Sequence, residues 1–541
     1  MIAYTCEQLK AIDHKGSLVI TACPGSGKTA VIAEKIRREL DVSQKYQGVI
    51  AITFTKKASK ELESRCRLGN TNLKSSFFGT IDSFCLSEII YPFVGQLFGY
   101  LPPDLKAKFD FDIEEHEAPL ASLLKTIDDD GITGLLDKIQ DLYALGTIYF
   151  PTIPHLALHI HEHSEACRRY IQTKFTTIYI DEYQDSSKVQ HLLFLSIVKS
   201  GIPGVAVGDL QQSIYGFRNC SPEYLKSLMD NPEFSHKAVS KNHRCHPSIS
   251  NYANRLFNPN FDISPTDEIR IWHCQFKGTQ RDTAVHLNSL IPAILAHYPQ
   301  VPPSELAVLT PNNSTLNILR EHLTTPCRIF SENSLDSLKS NTGSLWSALI
   351  KYKFDESIHT DELIDNFIDL NRINRSDSRR IAATVRRVRI CEKEELEELL
   401  LTLSAIFFNS EAKVQERAAL KKVIFDDEEL RQYHPANQNE VQCMTLHKSK
   451  GLEFEIVIHL DLTEWIFPRQ IFSDSFDQKE YSSYDQDLNL HFVGITRAKS
   501  LCILGHTTSR LNSKQQIKRG SPSVFLSIEG LAGLFQTCNY P

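Results

Sequence analysis

The 541-residue chain has no surplus of basic charge. It carries 59 Lys and Arg against 66 Asp and Glu, a net charge of −7. Bulk charge is therefore no argument for nucleic-acid binding, and any DNA site has to be a local groove. No run of about 18 apolar residues is present, so no transmembrane helix is expected. Met1-Ile2-Ala3-Tyr4 opens without a basic segment followed by an apolar one, so no signal peptide is expected either. The 13 Cys contain no C-x-x-C spacing. An odd, scattered set without framework spacing fits reduced thiols and a cytoplasmic protein. What remains is ordinary globular composition, 41% apolar and 23% charged, in a chain long enough for several domains.

Within that chain one stretch organises the rest. The apolar run Leu18-Val19-Ile20 leads into Ala22-Cys23-Pro24-Gly25-Ser26-Gly27-Lys28-Thr29. A strand, a Gly-rich turn and a helix start form the layout of a P-loop. Its backbone N–H groups and the helix N-terminus cradle a polyphosphate, Lys28 reaches the β/γ-phosphates, and the Thr29 hydroxyl holds Mg²⁺. The full pattern has Gly where this chain has Ala22. The helix that follows is expected to turn Val31, Ile32 and Ile36 inward and Lys35, Arg37 and Arg38 outward. Upstream, the Gln8 amide offers both a donor and an acceptor to a base edge such as adenine.

Gly48-Val49-Ile50-Ala51-Ile52 reads as a buried parallel strand. It ends in Thr53-Phe54-Thr55-Lys56-Lys57, where Phe54 among hydroxyls and lysines suits a base-stacking platform beside phosphate contacts. Ser75 to Phe84 repeats the strand-to-turn layout. Residues 91–172 read as a helical insertion without nucleotide chemistry. In it His155, His159, His163 and Cys167 stand four apart, which on one helix would face one way; the spacing alone does not assign a metal. Phe175–Ile180 is a strand ending in Asp181-Glu182-Tyr183-Gln184-Asp185. A carboxylate pair there, beside a P-loop, suits Asp181 to Mg²⁺ and Glu182 to the attacking water. Gly204–Asp209 is the next strand. After it Gln212 is placed to sense the γ-phosphate, and Tyr215, Phe217 and Arg218 suit stacking on single-stranded bases. Arg244, in Asn242-His243-Arg244, is placed as a charge clamp on the γ-phosphate.

Beyond residue 257 a second α/β system is expected, without a P-loop. A strand is expected from Glu268 to Trp272 and another at Leu306–Leu309, with helical repeats around them. Residues 336–434 interrupt it with a densely charged helical segment, basic from Arg372 to Arg389 and acidic from Glu392 to Glu398. The basic part suits either a phosphate backbone or a solvated face. Glu440–Met444 is then a strand leading into Thr445-Leu446-His447-Lys448-Ser449-Lys450-Gly451-Leu452-Glu453, and Phe492 to Lys499 contains Thr496-Arg497-Ala498.

Taken in order, these stretches resemble the motif set of the UvrD/Rep-type superfamily 1 helicases. Gln8 resembles the adenine-reading motif, Ala22–Thr29 motif I, Ile52–Leu62 motif Ia, Gly79–Phe84 motif Ib and Ile180–Ser186 motif II. Val207–Asn219 resembles motif III, Asn242–Arg244 motif IV, Thr445–Phe454 motif V and Phe492–Lys499 motif VI. The resemblance implies an α/β fold of two RecA-like parallel-sheet domains with small helical insertions. It places the first domain at 1–90 and 173–256 with its insertion at 91–172, and the second at 257–335 and 435–541 with a reduced insertion at 336–434. It implies ATP and Mg²⁺ as cofactors, with Gly25, Ser26 and Gly27 around the phosphates, Gly451 and Glu453 near the ribose and phosphates, and Arg497 as an arginine finger. Thr53, Phe54, Thr80, Tyr215, Phe217, Arg218, Thr445 and His447 would face single-stranded DNA, with Gln184 and Gln212 coupling the two sites. Polarity from 3′ to 5′ follows from the family alone. The compact chain, with no expected room for an appended nuclease, is most similar to the helicase-like subunit of the Gabija anti-phage defence system. That similarity implies an OLD-type (ATPase plus Toprim) nuclease partner. Two activities remain open at this point: a translocating helicase, or a DNA-end-sensing regulatory ATPase that activates the nuclease.

Overall fold

The computed structural model describes residues 4–540 except 70, 104, 110–111, 125–132, 215–219, 368–374, 409–410, 436, 472–478, 513 and 515. The apolar runs become strands of two parallel sheets, as the sequence predicts. The first holds β1 (Leu18–Ala22), β2 (Gly48–Ile52), β3 (Phe77–Gly79), β4 (Phe175–Ile180), β5 (Gly204–Gly208) and β6 (Ser235–Val239), in the spatial order β3-β2-β4-β5-β1-β6. The second holds β7 (Ile271–Phe276), β8 (Leu306–Thr310), β9 (Cys327–Phe330), β10 (Val441–Thr445), β11 (Phe454–His459), β12 (Ala498–Thr507) and β13 (Gln536–Tyr540), in the order β9-β10-β8-β11-β12-β7-β13. Strands buried on both faces need apolar side chains at every position rather than at alternate ones, and β2, β5 and β8 are buried throughout. The strand expected from Glu268 begins three residues later. Pairing with β12 starts at Ile271, and the Arg270 N–H is taken by the Ser248 hydroxyl at 2.9 Å.

The two helical insertions differ in how they are anchored. Between β3 and β4, Phe84, Ile89, Ile148 and Leu156 share one core with Ile50, Ile178 and Ile180 of the first sheet. The second insertion has its own core around Trp346, with Leu349, Val385, Leu400 and Leu420. The insertions also touch each other. The Asn341 side-chain amide donates to Asp112 at 3.1 Å, Lys413 to the Ile113 carbonyl at 3.2 Å, and Lys106 to the Phe408 carbonyl at 3.3 Å. From the first sheet, the Lys56 ammonium donates to the Asn366 carbonyl at 3.0 Å.

Three sequence expectations are corrected. His155, His159, His163 and Cys167 do not share a helix face. Helix Ile153–His163 ends at Ser164, whose hydroxyl caps a new helix, Glu165–Lys174, by accepting from the Cys167 N–H. Cys167 is buried, and His159 stacks on His163 with ring centroids 4.1 Å apart. Among the described residues no group of three or more His, Cys, Asp or Glu is arranged to hold a metal. The cysteines are not all thiols: Cys274 and Cys538 face each other across β7 and β13 and are joined as a disulfide. Lys35 does not point outward. It is buried, and its ammonium donates to the carbonyls of Ala11 (3.3 Å), Ile12 (3.2 Å) and His14. A cation there neutralises the C-terminal carbonyls of helix Cys6–Asp13, where the helix dipole is negative. Lys35→Met keeps the stem and removes the charge, and is expected to cost about 2 kcal/mol, read as a lower urea midpoint; an unchanged midpoint would show the carbonyls are satisfied without it.

No helix among the described residues is long and apolar enough to cross a membrane.

Candidate nucleotide site and nucleic-acid interface

The turn after β1 is built as a phosphate cradle. Gly25 and Gly27 both lie in the left-handed region, at φ +68° and +80°, where a Cβ is unfavourable. At Gly25 space forbids one as well: a Cβ there would come within 2.5 Å of the Arg244 Cβ and 2.6 Å of Asn242 Oδ1. Helix Lys28–Val42 starts directly after Gly27, so its first N–H groups open onto the turn. Gln8 is buried beneath it. Its Oε1 accepts from the Thr5 N–H at 2.8 Å, and its Nε2 donates to the Ser26 carbonyl at 2.9 Å. In this structure Gln8 braces the P-loop, leaving one N–H and one lone pair of its amide for a base edge. The Ser26 hydroxyl is buried inside the cradle, with no oxygen or nitrogen partner among the described residues.

Electrostatics concentrate at the C-terminal ends of β1, β4 and β5. Lys28 lies 3.5 Å from Glu182. Burial pushes its ammonium down, but the carboxylates of Glu182, Asp209 and Asp181 outweigh burial and leave it raised. Burial and the neighbouring Glu182 charge hold the Asp181 carboxyl up. Burial opposes ionisation of Glu182, yet Lys28 and Lys450 hold its carboxyl below the usual range. Lys28 and Lys450 thus favour the Glu182 anion, while burial and the Glu182 charge disfavour the Asp181 anion, which a divalent cation beside it would favour. Glu182 also sits at φ +55° without being Gly, a strained conformation that aims it into the site.

From Glu182 a polar chain runs across to the second sheet. Gln184 Nε2 donates to Glu182 at 2.5 Å, while its Oε1 accepts from the Asp209 N–H at 3.0 Å. Asp209 accepts from Gln212 Nε2 at 2.6 Å, and Gln212 Oε1 accepts from Arg497 at 3.4 Å. Arg497 is 2% exposed, donates to the Val493 and Leu452 carbonyls, and has no carboxylate partner among the described residues. Burial and the nearby Arg244 push its guanidinium down to about 10. A buried cation without a counter-ion suits an incoming anion. Arg244 meets Glu453 at 2.6 Å, and Lys499 lies 3.6 Å from the same carboxylate. Gly451, at φ +86°, turns the chain just before Glu453. These groups fit ATP with a divalent cation: the cradle and Lys28 for phosphates, Thr29 and Asp181 for the cation.

The candidate DNA residues follow other strand ends. Thr53 and Phe54 follow β2, Thr80 follows β3 beside it, and Thr445 closes β10. Phe54 is 38% exposed. The Thr53 hydroxyl donates to the Thr55 carbonyl at 2.9 Å, while Thr80 and Thr445 cap the turns that follow them, accepting from Ser83 and Lys448. His447 is half-buried, and burial with the Lys450 charge pushes its imidazole down. Tyr215, Phe217 and Arg218 lie outside the described residues.

Several site residues were passed over in the sequence. Lys450 joins the two sheets, pairing with Asp185 at 2.5 Å and donating to the Gln212 carbonyl at 2.9 Å. Asp209 and Asn242 stood inside motif stretches without a role. Their position at strand ends was the available signal; their partners, far away in sequence, were not.

Two family models match this chain. The UvrD/REP helicase N-terminal domain matches residues 4–140 and 136–233, and the UvrD-like helicase C-terminal domain matches 335–508. Together they span well over half of it, and the chain belongs to the UvrD/REP helicase family. Among its relatives is the Gabija protein GajB of Bacillus cereus (strain VD045), 29% identical over 520 residues, covering 91% of this chain and 93% of that protein. The ATP-dependent DNA helicase PcrA of Staphylococcus epidermidis (strain RP62A) is 24% identical over 625 residues, covering 93% and 83% respectively.

Proposed function

We propose that this chain is a DNA-dependent ATPase and helicase-type translocase, serving as the helicase subunit of a Gabija-like anti-phage defence complex. The observation that carries the reading is the continuous polar chain from Lys28 to Arg497, which joins a P-loop on one sheet to a buried arginine on the other that has no carboxylate partner among the described residues. In this reading the P-loop and Lys28 hold the ATP phosphates, and Glu182 accepts the proton of the attacking water. Arg244 and Arg497 offset charge developing on the γ-phosphoryl. A divalent cation held by Thr29 and Asp181 would neutralise β- and γ-phosphate charge when bound. Gln184 and Gln212 carry the state of that site toward Thr53, Phe54, Thr80, Thr445 and His447, where single-stranded DNA would lie. The domain boundaries expected from the sequence serve here as the proposed division of the motor, and 3′-to-5′ movement as its proposed polarity.

A second reading is favoured by the similarity to GajB along nearly its whole length: an ATPase that senses DNA ends and activates a partner nuclease of OLD type without processive unwinding. The same two experiments separate them. The purified chain is expected to hydrolyse ATP at least tenfold faster with a poly(dT) oligonucleotide, and to displace a strand from a 3′-tailed duplex. Turnover without displacement would favour the sensing role. The absence of DNA-stimulated turnover would remove both. Co-purification with the product of an adjacent OLD-type nuclease gene tests the complex; a monomer that ignores it would remove the defence assignment.

A further inference from the structure

We infer that Asn242 is a positioning residue which holds Arg244 beside the P-loop, where the chain crosses from the first sheet to the second. The inference rests on the hydrolytic reading of the site and deepens it.

Asn242 follows β6, the strand beside β1. Its Oδ1 accepts from the Arg244 N–H at 2.7 Å and the Cys245 N–H at 3.0 Å, closing a tight turn on its own backbone. Such a turn fixes the direction of the residue two places on. It also rests directly against the P-loop. The His243 N–H donates to the Gly25 carbonyl at 2.9 Å, and the Cys23 N–H donates to the Val239 carbonyl at 3.2 Å. The space a Gly25 Cβ would need is filled by Asn242 Oδ1 and the Arg244 Cβ. P-loop and arginine turn therefore interlock: the glycine is required because the turn occupies its side-chain volume, the His243–Gly25 bond docks the turn there, and the Asn242 amide oxygen sets its shape.

The two arginines then differ in kind. Arg497 hangs from the second sheet, through the Val493 and Leu452 carbonyls, and meets Gln212 after the first sheet's β5. The Arg244 backbone is held by Asn242 in the turn that meets the cradle through His243. Its guanidinium pairs with Glu453, and the next two residues are tied to the second sheet, Cys245 Sγ to the Thr496 carbonyl at 3.7 Å and the His246 N–H to the Lys499 carbonyl at 2.7 Å. Asn242 thus presets the direction of one positive charge at the γ-phosphate, while Arg497 approaches from the second sheet.

The test uses the full chain and two variants, Asn242→Ala and Asn242→Asp. The Asp carboxylate presents an acceptor oxygen at the same place, so it is expected to keep the turn. Binding is read by fluorescence with mant-ADP displaced by ADP or by ATPγS, which needs no turnover. Asn242→Ala is expected to weaken ATPγS at least tenfold and ADP less than threefold, since Arg244 addresses the γ-phosphate alone. Where the wild type hydrolyses ATP, kcat of the Ala variant is expected to fall at least tenfold both with and without poly(dT). Asn242→Asp is expected within threefold of wild type in each measurement. Equal loss of ADP and ATPγS, or an Asp variant as impaired as Ala, would overturn the inference. So would a wild-type nucleotide profile in a folded Ala variant. A wild-type chain that binds ATPγS yet does not turn over would fault the hydrolytic reading instead, leaving the binding comparison to decide the role of Asn242.

Discussion

Arg497→Ala is expected to lower DNA-stimulated ATP turnover by about a thousandfold while changing the affinity for ADP little. The residue is buried, touches only backbone carbonyls, the Thr496 hydroxyl and the Gln212 amide, and has no carboxylate to leave unpaired among the described residues. Its removal should therefore remove a charge from the transition state without stranding an anion. Arg497→Lys is expected to recover little, because a single ammonium cannot replace the planar fork that holds two carbonyls and still faces the cleft. Steady-state kinetics with poly(dT), beside thermal melting to check folding, decides it. A folded Ala variant within threefold of wild-type kcat would remove the arginine-finger role.

Glu182→Gln should reduce turnover by at least about a hundredfold and keep ATP binding. The amide preserves the shape but cannot accept a proton from water. It also breaks the split between the two carboxylates. With the neighbouring charge gone, the largest cause after burial that holds the Asp181 carboxyl up disappears, and Asp181 should ionise more readily. The variant is thus expected to bind the divalent cation no less tightly than wild type while failing to hydrolyse. Mant-ATP titration with and without Mg²⁺ checks binding, and phosphate release checks turnover. Retained turnover would move the general base elsewhere.

The sequence was informative wherever chemistry is local. The P-loop, the Asp181-Glu182 pair and the motif stretches could be read because a strand end, a turn and a helix start lie within ten residues of one another. The two parallel sheets were legible for the same reason, as each strand is a short apolar run. Lys35 was misread because periodicity gives the direction of a Cα–Cβ bond, not the reach of a four-carbon stem that can fold back onto a neighbouring helix end. The break at Ser164 was missed because a serine within a helical pattern does not itself announce a cap. The Cys274–Cys538 link joins residues 264 apart in sequence, and no spacing rule covers that distance. The chain from Glu182 to Arg497 was only half legible: its amides were named, but which atom each one faces depends on the docking of two sheets.

The contacts between the insertions close a mechanical loop. Sheet meets sheet at Arg497–Gln212 and Lys450–Asp185, and insertion meets insertion at Asn341–Asp112. Four bodies joined in a ring behave as a linkage, with fewer independent movements than the same bodies on a string. A hinge change at the nucleotide cleft is then shared with Asn341 and Asp112, in the two insertions. That pair is where a reporter would register the stroke without touching the chemistry.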